Sequence, residues 1–425
     1  MLSTLKNAWK IPDLRRRILF TLAMLVIFRL GSVIPVPGMN RAILDQMFNQ
    51  QESGLFSFFN LLSGGAFGNF TIFALSITPY ITSSIIMQLL TIAIPSLEAM
   101  AKEGEEGRKK IAQFTRYGTV VLALIQGIAV SIGLFRQALI STDIWSVTVV
   151  VLTLTAGTAF LMWLGEQITE NGIGNGISLI IFGGIVSRIP IGVAQTIEKT
   201  RIGEVSIISL VLFAILAVII IAGVIAIQQG TRKIPVQYAK RVVGRKMYGG
   251  HSTHIPLKVN QAGVIPVIFA ISLLQFPLTL TYFFQGGGFT SFVQKYLSPT
   301  GSPGIWIYSL LDVILIIFFT YFYTAITFNP PEVAENMKKN GGFIPGIRPG
   351  KPTAEYLEKV LTRITLAGAV FLAAIAVMPT LILQFSSLQL RFGGTSLLIV
   401  VGVALETMKQ IEAQMMMRHY QGFLK

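Results

Sequence analysis

The sequence contains no cysteine at all. Disulfide scaffolds, thiolate metal sites and cysteine nucleophiles are therefore excluded. His251, His254 and His419 have neither the spacing nor the neighbours of a metalloprotease helix, so we predict no metal site and no catalytic residue. No cofactor is expected either, because the glycine string at 172–176 follows no strand and predicts a tight turn at a helix start instead of a phosphate site.

Charged residues are scarce as well, since they make up 12% of the 425 residues while 52% are hydrophobic. That balance is unlike a soluble chain and indicates a membrane protein. A bilayer-spanning helix takes about 20 apolar residues. Stretches free of charge predict an all-α, polytopic membrane protein with ten spans, near 18–35, 71–94, 117–135, 147–165, 177–189, 206–227, 262–283, 305–327, 364–383 and 393–408.

Basic residues are distributed unevenly around these spans. The net charge is +15, and an even number of spans puts both termini on one side, where 26 of the 34 basic residues fall. The positive-inside rule then predicts that both termini are cytoplasmic. The first span follows Arg15, Arg16 and Arg17 and lacks a small-residue cleavage site, so it is interpreted as a retained anchor. Arg29 lies close enough to its far end to reach the headgroups.

Two loops on the terminus side, at 228–261 and 328–363, are longer and more basic than topology requires. One interpretation is that they are solvated positive-inside loops. The other is that they are structured prongs that dock a large cytosolic partner, including one that contains RNA, because Lys and Arg contact phosphate without needing sequence. Their length and their Pro/Gly turns favour the second interpretation, but composition does not choose between them.

The glycine-containing segment at 57–68 is apolar but too short to cross a bilayer. It is either an interfacial loop on the outer surface or a re-entrant plug, because irregular backbone at membrane depth must be buried in protein or line a cavity.

Two further function classes can be weighed from the spans alone. A secondary transporter with ten spans and broken helices is the alternative function, but such proteins usually carry ionisable groups near mid-membrane. Here Asp312, Glu166 and Glu406 each lie toward a span end in our map. A membrane-embedded enzyme would need clustered catalytic groups at mid-depth, and the map contains none.

Four motifs carry a resemblance to a known family. Residues 73–81 (FALSITPYI), 163–178 (WLGEQITENGIGNGIS), 346–350 (GIRPG) and 392–399 (FGGTSLLI) occur in the order expected of the SecY and Sec61 alpha family. The chain resembles that family over essentially its whole length. The resemblance implies the central pore subunit of a protein-conducting channel, which is not an enzyme and which releases transmembrane segments sideways into the lipid bilayer.

The resemblance also implies an architecture. Two pseudo-symmetric inverted halves surround an hourglass pore: residues 1–200 with spans one to five and the plug near 57–68, and residues 201–425 with spans six to ten and the two basic loops. It further implies the bacterial plasma membrane, the small subunits SecE and SecG, the SecA ATPase motor, the ribosome, and signal sequences and nascent polypeptides as partners.

Site residues follow from the family motifs. The implied pore ring consists of aliphatic side chains, namely Ile77, Ile81, Ile181, Ile185, Ile268 and Ile399. An apolar ring suits this task, because it excludes ions by dewetting and offers no fixed charge that would trap a passing chain. The implied plug comprises Asn60, Leu61, Leu62, Ser63, Gly64, Gly65, Ala66 and Phe67.

The remaining implied sites are polar. Gln88 and Asn260 are candidates for the lateral gate, where a hydrogen bond across helices contributes about 1 kcal/mol. Arg245, Lys246 and Arg348 are candidates for contact with the motor or the ribosome.

Overall fold

The computed structural model describes residues 2–50, 60, 63–203, 206–238, 241–243, 246–248, 252–281, 287–298, 303–385 and 394–422. Up to residue 203 the described residues include eight α-helices: α1 Leu2–Trp9, α2 Pro12–Gly31, α3 Arg41–Gln50, α4 Thr78–Ala93, α5 Pro95–Lys102, α6 Glu105–Ile128, α7 Ile144–Asn171 and α8 Gly176–Arg201. Proline occupies the first turn of α2, α4 and α5, where its missing N–H costs no hydrogen bond. α6 continues into a π-helical turn, Ala129–Leu134, and a 3₁₀ turn, Arg136–Ala138.

The remainder combines helices with short strands. The helices are α9 Ile207–Gln229, α10 Ile265–Leu280, α11 Gly288–Tyr296, α12 Gly304–Thr327, α13 Pro330–Lys339, α14 Lys351–Phe385 and α15 Gly394–Gly422. The strands are β1 Thr231–Tyr238, β2 Arg241–Val243, β3 Lys246–Tyr248, β4 Ser252–Lys258 and β5 Gly342–Phe343.

Each of the ten predicted spans coincides with a helix: α2, α4, α6, α7, α8, α9, α10, α12, α14 and α15. Within the described residues, five helices are long and apolar enough to cross a membrane, or six if α4 and α5, which meet at a 99° bend, form one broken span. The fifth predicted span was placed too short, because α8 continues through Pro190 to Arg201. The helices are thus consistent with the ten-span count.

The basic loops are folded, and they add a small sheet to an otherwise helical chain. β1 pairs antiparallel with β4, from Thr231 opposite Lys258 to Gln237 opposite Ser252, and β5 pairs with the other edge of β1. β2 and β3 form a separate two-stranded hairpin. Below the three-stranded sheet lies an apolar core of Ile234, Val236, Leu257, Met337, Ile344 and Leu357. Burying such side chains from both loops joins them into one structured unit.

The largest apolar core lies between the helices of the two halves. α4, α7 and α8 contribute from the N-terminal half, and α9, α10, α12, α14 and α15 contribute from the other. α10 packs against α4 and against the π-helical turn, and α15 packs against α8. The predicted division at residue 200 falls close to the end of α8 and stays a prediction; helices from both sides of that position contribute to this core.

Candidate functional site

A small cavity lies at the centre of this core. Its volume is about 20 Å³, space for about one water molecule. The lining comes from α4 and the two residues before it, α8, α10 and α15: Ser76, Ile77, Thr78, Ile81, Ile181, Ile268, Ile271, Ser272, Gln275 and Ile399. Side chains separated by more than 300 positions in the sequence, Ile77 and Ile399, thus meet at one point.

Five of the six predicted ring residues line this cavity. The sixth, Ile185, lies one turn beyond Ile181 on α8 and is buried in the surrounding core, outside the cavity lining. Ile77 and Ile81 belong to one helical turn, because the Ile81 N–H donates to the Ile77 carbonyl at 3.1 Å. The i,i+4 spacing therefore brings both side chains to the same face.

A backbone kink precedes the first of these isoleucines. Ser76 has a φ of +53°, which non-glycine residues rarely adopt, and its N–H donates to the Phe73 carbonyl at 2.8 Å. Ile77 then caps α4, and Pro79 stands in the first turn. Because the chain turns so sharply here, α4 begins directly at the cavity.

The cavity is lined without any ionisable side chain. The Ser272 hydroxyl donates to the Ile268 carbonyl of its own helix at 2.8 Å, so it is satisfied locally. The Gln275 amide nitrogen is buried and has no hydrogen-bond partner among the described residues. The lining therefore contains no charged group that would compensate an ion for a lost hydration shell.

The predicted plug residues lie partly within the described chain. We call Asn60 together with residues 63–68 the glycine segment; Leu61 and Leu62 lie outside the described residues. Ser63 to Phe67 are buried, and the segment is a succession of turns closed by its own polar groups. The Phe67 N–H donates to the Ser63 hydroxyl at 3.0 Å, and the Gly68 N–H donates to the Asn60 side-chain oxygen at 2.9 Å.

The segment is packed against protein, as a re-entrant plug would have to be, and the choice between plug and outer loop stays a prediction. Gly64 lies directly against Gly184 of α8, so closely that a Cβ on Gly64 would stand 2.8 Å from the Gly184 Cα. Phe67 packs edge-to-face on Phe135, with ring centroids 5.7 Å apart. Irregular backbone is thus enclosed by protein, as membrane depth requires.

Two arginines that sequence reasoning did not assign to the site contact this segment. Arg29 donates to the Gly64 carbonyl at 2.7 Å, and Arg188 donates to the Asn60 side-chain oxygen at 3.2 Å. Arg29, which was expected to reach the headgroups, donates to the glycine segment in the structure. A signal was available, since ionisable residues within spans usually have a functional partner.

The two candidates for the lateral gate form their hydrogen bonds locally. The Gln88 amide donates to Ser84 on the same helix at 3.3 Å, and the Asn260 amide donates to the Gly263 carbonyl at 2.9 Å in the turn before α10. The amide oxygen of each side chain is buried and has no hydrogen-bond partner in the described part of the chain. Their assignment to a gate stays a prediction.

The strands, helices and turn of the two basic loops carry exposed basic side chains. We call this surface the basic face; its members are Arg232, Lys233, Lys258, Lys338, Lys339, Arg348, Lys351 and Lys359. Glu335 lies among them and accepts a hydrogen bond from Lys339 at 3.0 Å, which lowers its pKa. Arg245 lies outside the described residues, and of Lys246 the structure describes only its position in β3.

Arg348 projects from a turn that is fixed on both sides. Ile344 and Ile347 anchor this turn in the core below the sheet, and the Ile347 N–H donates to the Ile344 carbonyl at 3.0 Å. The Arg348 carbonyl accepts from the Thr353 hydroxyl at 2.9 Å. A fixed backbone presents an exposed guanidinium at low entropic cost, which suits a docking contact.

The turn predicted at 172–176 is present. Gly174 has a φ of +88°, which favours glycine, and the Asn175 side chain caps α8 by accepting from the Ser178 N–H at 3.1 Å. Within the described residues there is also no group of three or more His, Asp or Glu side chains that could hold a metal ion.

Many apolar helices that pack around a small central cavity define a class of protein, the multi-pass helical membrane proteins. The sequence profile of the SecY family matches residues 71–408. The protein translocase subunit SecY of Halalkalibacterium halodurans is 53% identical over 438 aligned residues, which cover 100% of both chains. The chain therefore belongs to the SecY family.

Solved structures show the same fold. A protein-conducting channel has a TM-score of 0.69 at 21% identity and covers 94% of this chain and 92% of its own. A SecY structure concerned with a plug domain that stabilises the closed channel has a TM-score of 0.65 at 19% identity, with the same coverage. Sec61 in a canine ribosome–channel complex has a TM-score of 0.63 at 19% identity, again with that coverage.

Family membership confirms the resemblance and the helical membrane fold, and it makes the chain a multi-pass protein of the bacterial plasma membrane. The relatives are translocase subunits of a channel family, which is consistent with the expectation that the chain is not an enzyme. The alternative of a secondary transporter finds no support among these relatives.

Proposed function

We propose that the chain is the pore subunit of a protein-conducting channel, closed by an isoleucine ring. The observation that carries this proposal is the cavity of about 20 Å³ between Ile77, Ile81, Ile181, Ile268 and Ile399, to which both halves contribute. Because six of the ten lining residues are isoleucine and none is charged, the lining can part for an extended polypeptide of any sequence and can exclude ions when it closes. We assign Ile185 to the layer that supports the ring.

The test arrests a secretory chain midway in the reconstituted complex and activates photo-crosslinkers placed at Ile81 or Ile268. Capture of the chain from both positions is expected. Ile219 on α9 serves as the control, since it is 61% exposed and does not line the cavity. Failure to capture the chain from either ring position would contradict the proposal.

We propose that the glycine segment is the plug that blocks the external side of the ring. Support comes from its burial against α8, the helix that also carries Ile181. Deleting residues 60–68 should raise ion leakage through the resting channel. An unchanged single-channel conductance record would remove the plug assignment.

Lateral release into lipid is proposed between α4 and α6 on one side and α10 and α12 on the other. α10 joins α12 along its length and also packs against α4 and the π-helical turn that ends α6, so a separation there would open the central cavity sideways. Signal sequences and transmembrane segments are the expected passengers. Gln88 and Asn260 are kept as candidates that would tune the opening.

The basic face is proposed to dock the partners that drive transport, the SecA ATPase or the ribosome. Its guanidinium and ammonium groups suit the phosphates of ribosomal RNA and acidic surfaces of a motor. We assign Arg348 as the central contact and keep Arg245 and Lys246 as further candidates. The small subunits SecE and SecG complete the proposed assembly. Since 26 of the 34 basic residues lie on the side of the termini, we propose that both termini are cytoplasmic.

A further inference from the structure

Arg29 contributes the first of two unusual contacts to the glycine segment. It extends from α2 and donates to the Gly64 carbonyl at 2.7 Å, a short bond for a charged donor and a main-chain acceptor. Among the described residues no carboxylate pairs with Arg29. A guanidinium within a span needs a polar partner, and here that partner is the backbone of the segment.

Arg188 contributes the second contact, from α8. Its guanidinium donates to the Asn60 side-chain oxygen at 3.2 Å, and the same oxygen accepts from the Gly68 N–H at 2.9 Å. The Asn60 side chain thus connects Arg188 to both ends of the segment, Asn60 itself and Gly68. The guanidinium also covers Gly65, where an added Cβ would overlap it.

The two arginines therefore contact adjacent residues, Gly64 and Gly65, from two neighbouring helices, Arg29 through a hydrogen bond and Arg188 through close packing. Two features require glycine at position 65. Its φ of +94° favours glycine, and only a hydrogen in place of a side chain leaves room for Arg188. α8 carries Arg188 seven positions after the ring residue Ile181, so the position of the segment is set relative to the ring.

We infer that Arg29 and Arg188 are positioning residues that hold the plug in its buried place, so that the loss of either one lets it leave. This inference rests on the proposed plug function of the segment. It adds that the plug is held by charge-assisted hydrogen bonds from two separate helices, instead of by apolar packing alone. A rotation or separation of α2 and α8 would then release it.

The experiment uses the absence of cysteine from the chain. Ser63→Cys places a single thiol of nearly the same shape at a buried position of the segment, in the reconstituted resting complex. The rate of modification by a water-soluble maleimide then reports how often the segment leaves. Asn69→Cys, at an exposed position nearby, gives the rate for an accessible thiol.

Arg29→Ala and Arg188→Ala are each expected to raise the modification rate of the buried thiol about tenfold, as the loss of a hydrogen bond from a charged group predicts. Arg16→Ala on α2 and Arg201→Ala on α8 are matched controls, because both are exposed and each lies several helical turns from Arg29 or Arg188 on the same helix, about 20 Å at the α-helical rise. Arg29→Lys should retain most of the protection, since an ammonium group can still donate to a carbonyl.

Gly65→Ala tests the contact from the opposite side. Its methyl group would overlap the guanidinium, so this variant should label as fast as Arg188→Ala, and the double variant should label no faster than either one. Gly104→Ala controls for backbone strain alone, because Gly104 has a φ of +85° with no atom within 4 Å of an added Cβ.

Unchanged labelling in both arginine-to-alanine variants would overturn the inference, even if deleting residues 60–68 makes the channel leak. If the deletion does not leak but the variants label faster, the plug proposal falls while the two arginines still hold the segment. Where an arginine variant fails to assemble, Asn60→Ala removes the acceptor of Arg188 and leaves α8 intact; it should label faster as well.

Discussion

Six isoleucines from four helices meet around the central cavity, whereas the basic face gathers its charges above a small apolar core on two loops. The cavity uses mostly aliphatic side chains and no charged group, brought together from positions 76 to 399. The basic face uses the reverse arrangement, because its charged groups are exposed and the apolar side chains of the same strands only support them. A passage that accepts every sequence must not bind any of them, while a docking surface must bind a particular partner.

The largest effect is expected from a charge placed in the cavity. Ile181→Asp introduces an ionised group where no partner lines the wall, which destabilises the closed arrangement by about 3 kcal/mol. That free energy corresponds to about a hundredfold more open channels at rest. Ion conductance of the resting complex in planar bilayers measures it.

Ile181→Leu is the control for this variant, because it keeps the volume and the apolar character and should cost less than about 1.5 kcal/mol. If Ile181→Asp and Ile181→Leu had the same resting conductance, a charge in the cavity would not matter for closure. The contrast between an uncharged cavity and a charged face would then be lost.

The two regions differed in how far the sequence could predict them. The helices were predictable because charge-free stretches of about 20 residues mark spans whatever surrounds them. The basic loops were visible because their charges are adjacent in the chain, although the β1–β4 hairpin was not foreseen. Lone isoleucines in a span look like any lipid-facing residue, so the cavity residues were found only through the family motifs.

The contacts of the glycine segment show what lay beyond sequence reasoning. Arg29 and Arg188 are separated from it by 35 and 128 positions along the chain, and nothing in their own neighbourhoods points to Gly64 or Asn60. Such pairings depend on how helices pack in three dimensions. Gln88 and Asn260 illustrate the converse, since polar residues proposed for contacts between helices have their described hydrogen bonds nearby in the chain.

An intermediate effect is expected on the basic face. Arg348→Glu reverses an exposed charge on an anchored turn, which should weaken motor docking by about 2 kcal/mol, or about thirtyfold. Motor-driven translocation into vesicles should fall accordingly, while the resting ion conductance stays at its original value. Lys351→Glu, on the same face, separates a specific role of Arg348 from a change in net charge. Normal translocation by Arg348→Glu would remove this residue from the docking contact.

The smallest effect concerns the one amide of the cavity, Gln275, whose buried nitrogen has no partner among the described residues. Gln275→Leu replaces an unsatisfied polar group with an apolar one of similar size, which should stabilise the closed arrangement by about 1 kcal/mol. Resting openings should become about fivefold rarer in single-channel records. Gln126→Leu on α6 makes the same exchange away from the cavity and should leave the openings unchanged. More frequent openings in Gln275→Leu would mean that the amide helps to close the passage. The cavity, like the basic face, would then depend on directed polar contacts.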